Sequence, residues 1–271
     1  MAAPPGERGR MSKPQTGPAA PVWDRVLCAV DQTPASIRAA RTAARLMPAA
    51  ASLTLCTVVH GEALGADVSL ERSRTREAQE ALTHAQAEIE AFHDAELHLR
   101  EGRPIRRLLD ELSAERATLV TVGRHGDSGA AGATLGELAT VILHEAVCSV
   151  LIASAAERDH GEVMVGFDGS GGAGRALAVG RELSARLALV LRVIVATGEP
   201  HPPGPGWSRH EVGTELDVIE DPRTAVEALI EASQSARLLI LGSRHLGGVM
   251  ARSSVSEQVA RGADCPVLVV R

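Results

Sequence analysis

The chain of 271 residues has room for two domains of ordinary size or for one large one, and either can bury a substantial core. Hydrophobic residues at 45% and charged residues at 23% give the balance of a globular protein, not of a disordered or fibrous one. A net charge of -6, a pI near 5.9 and only 1% aromatic residues offer neither a basic field nor a stacking surface, which argues against nucleic acid as a partner.

Residues 1–21, MAAPPGERGRMSKPQTGPAAP, read as a disordered leader rich in Pro, Gly and Ala, without the apolar core of a secretory signal. The sequence holds no apolar run of about 18 residues to span a bilayer. The expectation is a cytoplasmic protein with no membrane contact.

After the leader, strand and helix signals alternate. RVLCAVD, SLTLCTVV, AELHLRE, ATLVTVG and CSVLIA are apolar runs of strand length, suited to a parallel sheet covered on both faces. Residues 69–94 read as a long polar helix whose mixed charges form a solvated face. In the segment 103–116, Ile105, Leu108, Leu109 and Leu112 recur on one helical face, which should lie on the sheet. Cys28, Cys56, Cys148 and Cys265 each fall in an apolar run without CxxC spacing, and read as small buried core residues with no chemistry.

The second part of the chain repeats the first. EVMVGFDGS at 162–170 matches RVLCAVDQT at 25–33, pairing Asp168 with Asp31. RLLILGSRH at 237–245 matches ATLVTVGRHG at 117–126, and RGADCPVLVV at 261–270 matches HEAVCSVLIA at 144–153. The chain is therefore two copies of one unit, 22–155 and 160–271. Each unit is expected to be a doubly wound α/β domain, a five-stranded and mostly parallel sheet flanked by helices, with ligands beyond the carboxyl ends of the strands. The copies are unequal: proline and glycine in TGEPHPPGPGWSRHEVG, 197–213, should forbid the second helix in the second unit, leaving it shortened.

AVDQT and GFDGS ending the first strands, VGRHG and LGSRH after the fourth, and AVCSV and ADCPV entering the last together resemble the tandem members of the universal stress protein family. The likeness runs over nearly all of residues 25–271. It implies the adenine-nucleotide α-hydrolase-like fold. In the nucleotide-binding branch it also implies a loop of the form GxxG, nine residues, then Gly followed by Ser or Thr, which holds the ATP phosphates. Gly123 and Gly126 form the GxxG, residues 127–135 are the nine, and Gly136 closes the pattern. Glycine permits positive φ and close backbone approach to an anion, and the helix starting near Gly136 points its positive end there.

Glu137 stands where the family has Ser or Thr. A carboxylate about 4 Å from a phosphate charge costs on the order of 4 kcal/mol at an effective dielectric of 20, nearly a thousandfold in affinity. In an empty helix the same residue gains about 0.3 to 1 kcal/mol from the helix dipole. A Mg²⁺ ion could bridge Glu137 and the phosphates. In the second copy, counting back from Cys265 sets Ser253 at the place of Gly136 and Ser254 at that of Glu137. Gly242 opens a loop two residues shorter, and His245 replaces the second glycine.

By the resemblance, Asp31 and Asp168 approach the base and ribose of a nucleotide; the alternative is that each caps the next helix. Thr33 and Ser170 read as N-caps. The resemblance sets the family's backbone contact to the base at Val58. Arg124 and His125 sit inside the loop, where they either meet phosphate oxygens or an acidic partner, or stand in solvent. The sequence carries no Ser/His/Asp set, metal cluster or paired carboxylate in a motif. The expected function is a non-enzymatic stress-response regulator with weak ATP or AMP binding in the first domain, built as an internal pseudo-dimer and able to form a homodimer. The alternative is a scaffold with decayed sites that acts through an unknown protein partner. A nucleotide-using enzyme ranks last.

Overall fold

The computed structural model describes residues 23–60, 68–124, 135–154, 158, 160–199, 203–204, 208–243 and 254–271. The leader therefore lies outside the described residues, as do His125, Gly126, His245 and Ser253.

The first half runs β1 (Arg25–Ala29), α1 (Pro34–Leu46), β2 (Ser52–His60), α2 (Val68–Ile89), β3 (Glu96–Gly102), α3 (Pro104–Ala114), β4 (Leu119–Gly123), α4 (Glu137–Glu145) and β5 (Ser149–Ala153). The second runs β6 (Glu162–Gly166), α5 (Gly171–Leu187), β7 (Leu191–Ala196), α6 (Arg209–Val212), β8 (Asp217–Asp221), α7 (Ala225–Ser233), β9 (Ala236–Gly242), α8 (Val255–Gly262) and β10 (Val267–Val270).

Local chemistry sets the helix starts. Pro34 and Pro104 stand in the first turn of α1 and α3, where a missing N–H costs nothing. α7 opens with a capping box in which Thr224 and Glu227 satisfy each other's backbone donors. On α3 the buried apolar residues are Leu108 and Leu112, with Ile105 and Leu109 half-buried beside them, as the periodicity predicts. α2 docks through Ala81, Leu82, Ala85 and Ile89 near its C-terminal end.

Among the described residues the strands form one ten-stranded sheet in the order β3-β2-β1-β4-β5-β10-β9-β6-β7-β8. Each half is the expected five-stranded parallel sheet, but the halves do not stand apart. β5 and β10 pair antiparallel, with Leu268 opposite Leu151, and join them edge to edge. Antiparallel pairing of equivalent strands relates the two halves as an isologous dimer interface relates two subunits. α1, α2 and α5 pack one core on one face, while α3, α4, α7 and α8 pack a second core on the other.

The segment 197–213 departs from expectation in one respect. It contains the single turn α6, ended by Gly213 at φ +102° and anchored by the fully buried Val212. Proline and glycine shorten the element, and burial of one valine preserves a turn of it.

Candidate functional site

In the order 3-2-1-4-5 the connections turn in opposite directions from β1 and β4, and in such sheets the crevice beyond these strand ends is where ligands bind. At the end of β1, the Asp31 carboxylate accepts from the Thr33 backbone N–H at 2.9 Å and from the Thr33 hydroxyl. The Thr33 hydroxyl oxygen in turn accepts from Ser36 N–H at 3.3 Å and caps α1. Thr33 is thus the cap, and Asp31 braces the turn while remaining exposed at the sheet edge. The second half repeats this geometry: Ser170 caps α5, and Asp168 accepts from Ser170 N–H at 3.0 Å.

β2 continues past Cys56, its last residue to pair with β1 (opposite Ala29), through residues 57–60. The backbone at Val58 therefore overhangs the end of β1, while its half-buried side chain packs with the core beneath α3.

Gly123 ends β4. A Cβ there would lie 2.8 Å from the Ala35 carbonyl carbon at the start of α1. Gly242 ends β9 under a tighter constraint, with a Cβ 2.1 Å from the Gly172 carbonyl carbon in α5. Both glycines are required by the close approach of strand to helix, whatever the loop beyond them holds.

The loop that follows Gly123 is closed at its base by Gly136 N–H donating to the Arg124 carbonyl at 2.8 Å. Gly136 caps α4 without a side-chain hydrogen bond, and Glu137 is exposed in the first turn. The orphan N–H groups of that turn and the Glu137 carboxylate thus share one helix end.

Arg124 departs from the solvated reading. It is buried, and its guanidinium donates through Nη2 to the carbonyl of Ala263, the C-cap of α8 in the other half. Burial pulls its pKa below the usual range, opposed by the nearby Cys265 and Asp264. In the second half, Ser254 rather than Ser253 caps α8, accepting from Glu257 N–H at 3.2 Å. By its cap role Ser254 corresponds to Gly136, one residue from the correspondence that counting back from Cys265 gives, because α8 is a residue shorter than α4.

The cysteines are free and buried. Desolvation pushes the thiols of Cys28, Cys56 and Cys265 up to about 12 and that of Cys148 to about 11, far from reactive thiolates.

Sequence reasoning missed a polar cluster under the edge strand β3. Glu111 on α3 is 4% exposed and accepts from Arg100 at 2.6 and 2.9 Å, with His98 Nδ1 at 2.7 Å and Glu115 nearby. The Arg100 hydrogen bond holds the Glu111 carboxyl below its ordinary range, and His98 adds to the effect. His98, Glu111 and Glu115 have the donor types of a metal site, yet the guanidinium already takes both Glu111 oxygens. Only the β3 alternation, with His98 and Arg100 on one face, hinted at this cluster.

The Universal stress protein family profile matches residues 23–154 and 206–271. A universal stress protein of Mycolicibacterium smegmatis is 30% identical over 201 residues, 64% of this chain and 67% of that protein. The crystal structure of a universal stress protein from Archaeoglobus fulgidus superimposes with a TM-score of 0.72 at 21% identity, covering 92% of this chain and 98% of that one. A Pseudomonas aeruginosa structure given the same family name follows at 0.63 and 16%, covering 91% and 92%. At those identities the structures speak for the shared tandem fold. Taken with the matched residues in both halves, they lead to one conclusion: this chain belongs to the universal stress protein family.

Proposed function

We propose that the chain is a non-enzymatic, nucleotide-responsive regulator of the stress response, in which domain 22–155 retains a weak site for ATP or AMP. The observation that carries this reading is a convergence at one sheet edge. The end of β1 with the exposed Asp31, the overhanging backbone of Val58, the loop base Gly123 and the first turn of α4 all meet where the strand order turns. Backbone N–H groups at a helix start attract phosphate, and an acidic side chain at a strand end suits ribose hydroxyls.

Glu137 makes the site weak, and a Mg²⁺ ion, which the Glu137 carboxylate would help hold, would offset the repulsion by its positive charge. Domain 160–271 contributes the other half of the pseudo-dimer, with Asp168, Gly242 and Ser254 at the equivalent edge and Ser253 and His245 in the intervening stretch. In this reading the protein works in the cytoplasm, as a single chain or as a homodimer, through contacts with a protein partner rather than through turnover.

Two observations favour a second reading, that of a scaffold without ligand: the Arg124 guanidinium is already engaged with Ala263, and Glu137 already sits at the positive helix end. Calorimetric titration of ATP with Mg²⁺ into the full chain, beside Gly126→Val, separates the two. Saturable heat in the wild type that disappears in the variant supports the sensor. No heat in either supports the scaffold. ATP turnover above that of the loop variant would refute both.

A further inference from the structure

Arg124 is bonded to both halves at once. Its carbonyl accepts from Gly136 N–H, the cap of α4, while its side chain, 8% exposed, donates to Ala263 at the end of α8. Nε of the same guanidinium has no hydrogen-bond partner among the described residues. The opposite ends of the two helices are tied as well. Arg271 Nη2 donates to the Leu143 carbonyl in the last turn of α4, and His144 Nε2 lies 3.1 Å from Oε2 of Glu257 in the first turn of α8. α4 and α8 are therefore linked head to tail across the seam. Their N-caps, Gly136 and Ser254, are the residues at which the stretches following β4 and β9 end.

We propose that Arg124 is a latch that couples the N-cap of α4 in the first half to α8, and through Ser254 to the equivalent edge of the second half. The carbonyls at a helix C-terminus carry only partial negative charge, so they hold a guanidinium less strongly than a full anion does. A buried guanidinium paired with a carbonyl and keeping an unused donor is costly, and a phosphate beside residue 124 draws on the same cation. Two states follow: latched, with the guanidinium on Ala263, and released, with α8 losing the cation at its last turn. Coupling of this kind is reciprocal, so a change at the second edge alters affinity at the first. The ligand-driven step rests on the nucleotide reading above, whereas the link between the halves is a property of the chain alone.

Hydrogen–deuterium exchange on the full-length protein tests this, with and without ATP and Mg²⁺, in the wild type, Arg124→Gln, Arg124→Lys and Arg271→Gln. Without nucleotide, Arg124→Gln speeds exchange by about tenfold or more at both 254–258 and 261–264, the size expected from losing a charged hydrogen bond. Arg271→Gln, which cuts a seam contact outside the loop, leaves 261–264 unchanged. If Arg124→Gln fails to fold, Arg124→Lys decides: an intermediate acceleration supports the latch, and none overturns it. In the wild type, ATP reproduces the acceleration; in Arg124→Gln it adds nothing. A calorimetric blank for ATP together with fast α8 exchange in Arg124→Gln overturns the nucleotide reading and leaves the latch standing. Equal ATP affinity in the wild type and Arg124→Gln, with α8 unmoved in both, overturns the latch and leaves the nucleotide reading standing.

Discussion

Replacing Glu137 with serine restores the family's residue at the loop end, and the structure alters the size of the expected effect. At about 4 Å a pair of unit charges interacts with about 4 kcal/mol at an effective dielectric of 20 but about 1 kcal/mol in bulk water. Glu137 is exposed in the first turn of α4, so water screens it and the lower end applies. Several phosphate charges raise the sum to about 1 to 2 kcal/mol, or roughly five- to thirtyfold tighter ATP binding in Glu137→Ser. The nearly thousandfold penalty belongs to an effective dielectric of 20, whereas the exposure of Glu137 moves its surroundings toward bulk water. The empty protein should move the other way, losing about 0.3 to 1 kcal/mol because the α4 dipole loses its favourable charge. Urea unfolding and calorimetry at low salt and at 0.15 M measure both quantities on the same samples. At 0.15 M the Debye length is about 8 Å, so the affinity gain should shrink with salt. An affinity change below twofold at low salt, or a variant both more stable and tighter, would refute the argument that Glu137 competes with the anion.

Two further outcomes follow from packing and charge. Gly242→Ala sets a methyl 2.1 Å from the Gly172 backbone, which no side-chain rotation relieves. A loss of about 3 kcal/mol or more is expected in urea unfolding, and a loss under 1 kcal/mol would mean that α5 and β9 approach less closely. Glu111→Gln breaks a carboxylate pair whose Arg100 partner is 29% exposed, so about 2 kcal/mol is expected at pH 7, below the range for a fully buried pair. Because the folded Glu111 carboxyl is held below its ordinary range, the pair's contribution is fully present above the unfolded carboxylate pKa of about 4.3. It is lost as pH falls through the folded value. Unfolding at pH 7, 5 and 3 should show the gap between wild type and variant closing in acid; a gap constant with pH would rule out the pair as its source.

Much of the architecture was legible in the residues themselves because it depends on local chemistry. Apolar runs such as 25–29 and 149–153 have the length and pattern of covered parallel strands, Leu108 and Leu112 recur on one helical face, and Thr33 and Ser170 stand where an N-cap is needed. The internal repeat then set the order of elements twice over. Tertiary structure alone decided the rest. Nothing in SVLIA or VLVV specifies that β5 and β10 pair with each other, since any covered apolar strand offers the same backbone donors and acceptors. Gly123 and Gly242 read equally as phosphate-loop glycines and as packing glycines, because both roles ask only for the absence of a Cβ; the contacts with Ala35 and Gly172 establish the second. Arg124 carries no periodic signal, and a long flexible cation takes its direction from its surroundings. That it turns inward to the end of α8 was settled only when the two halves closed against each other.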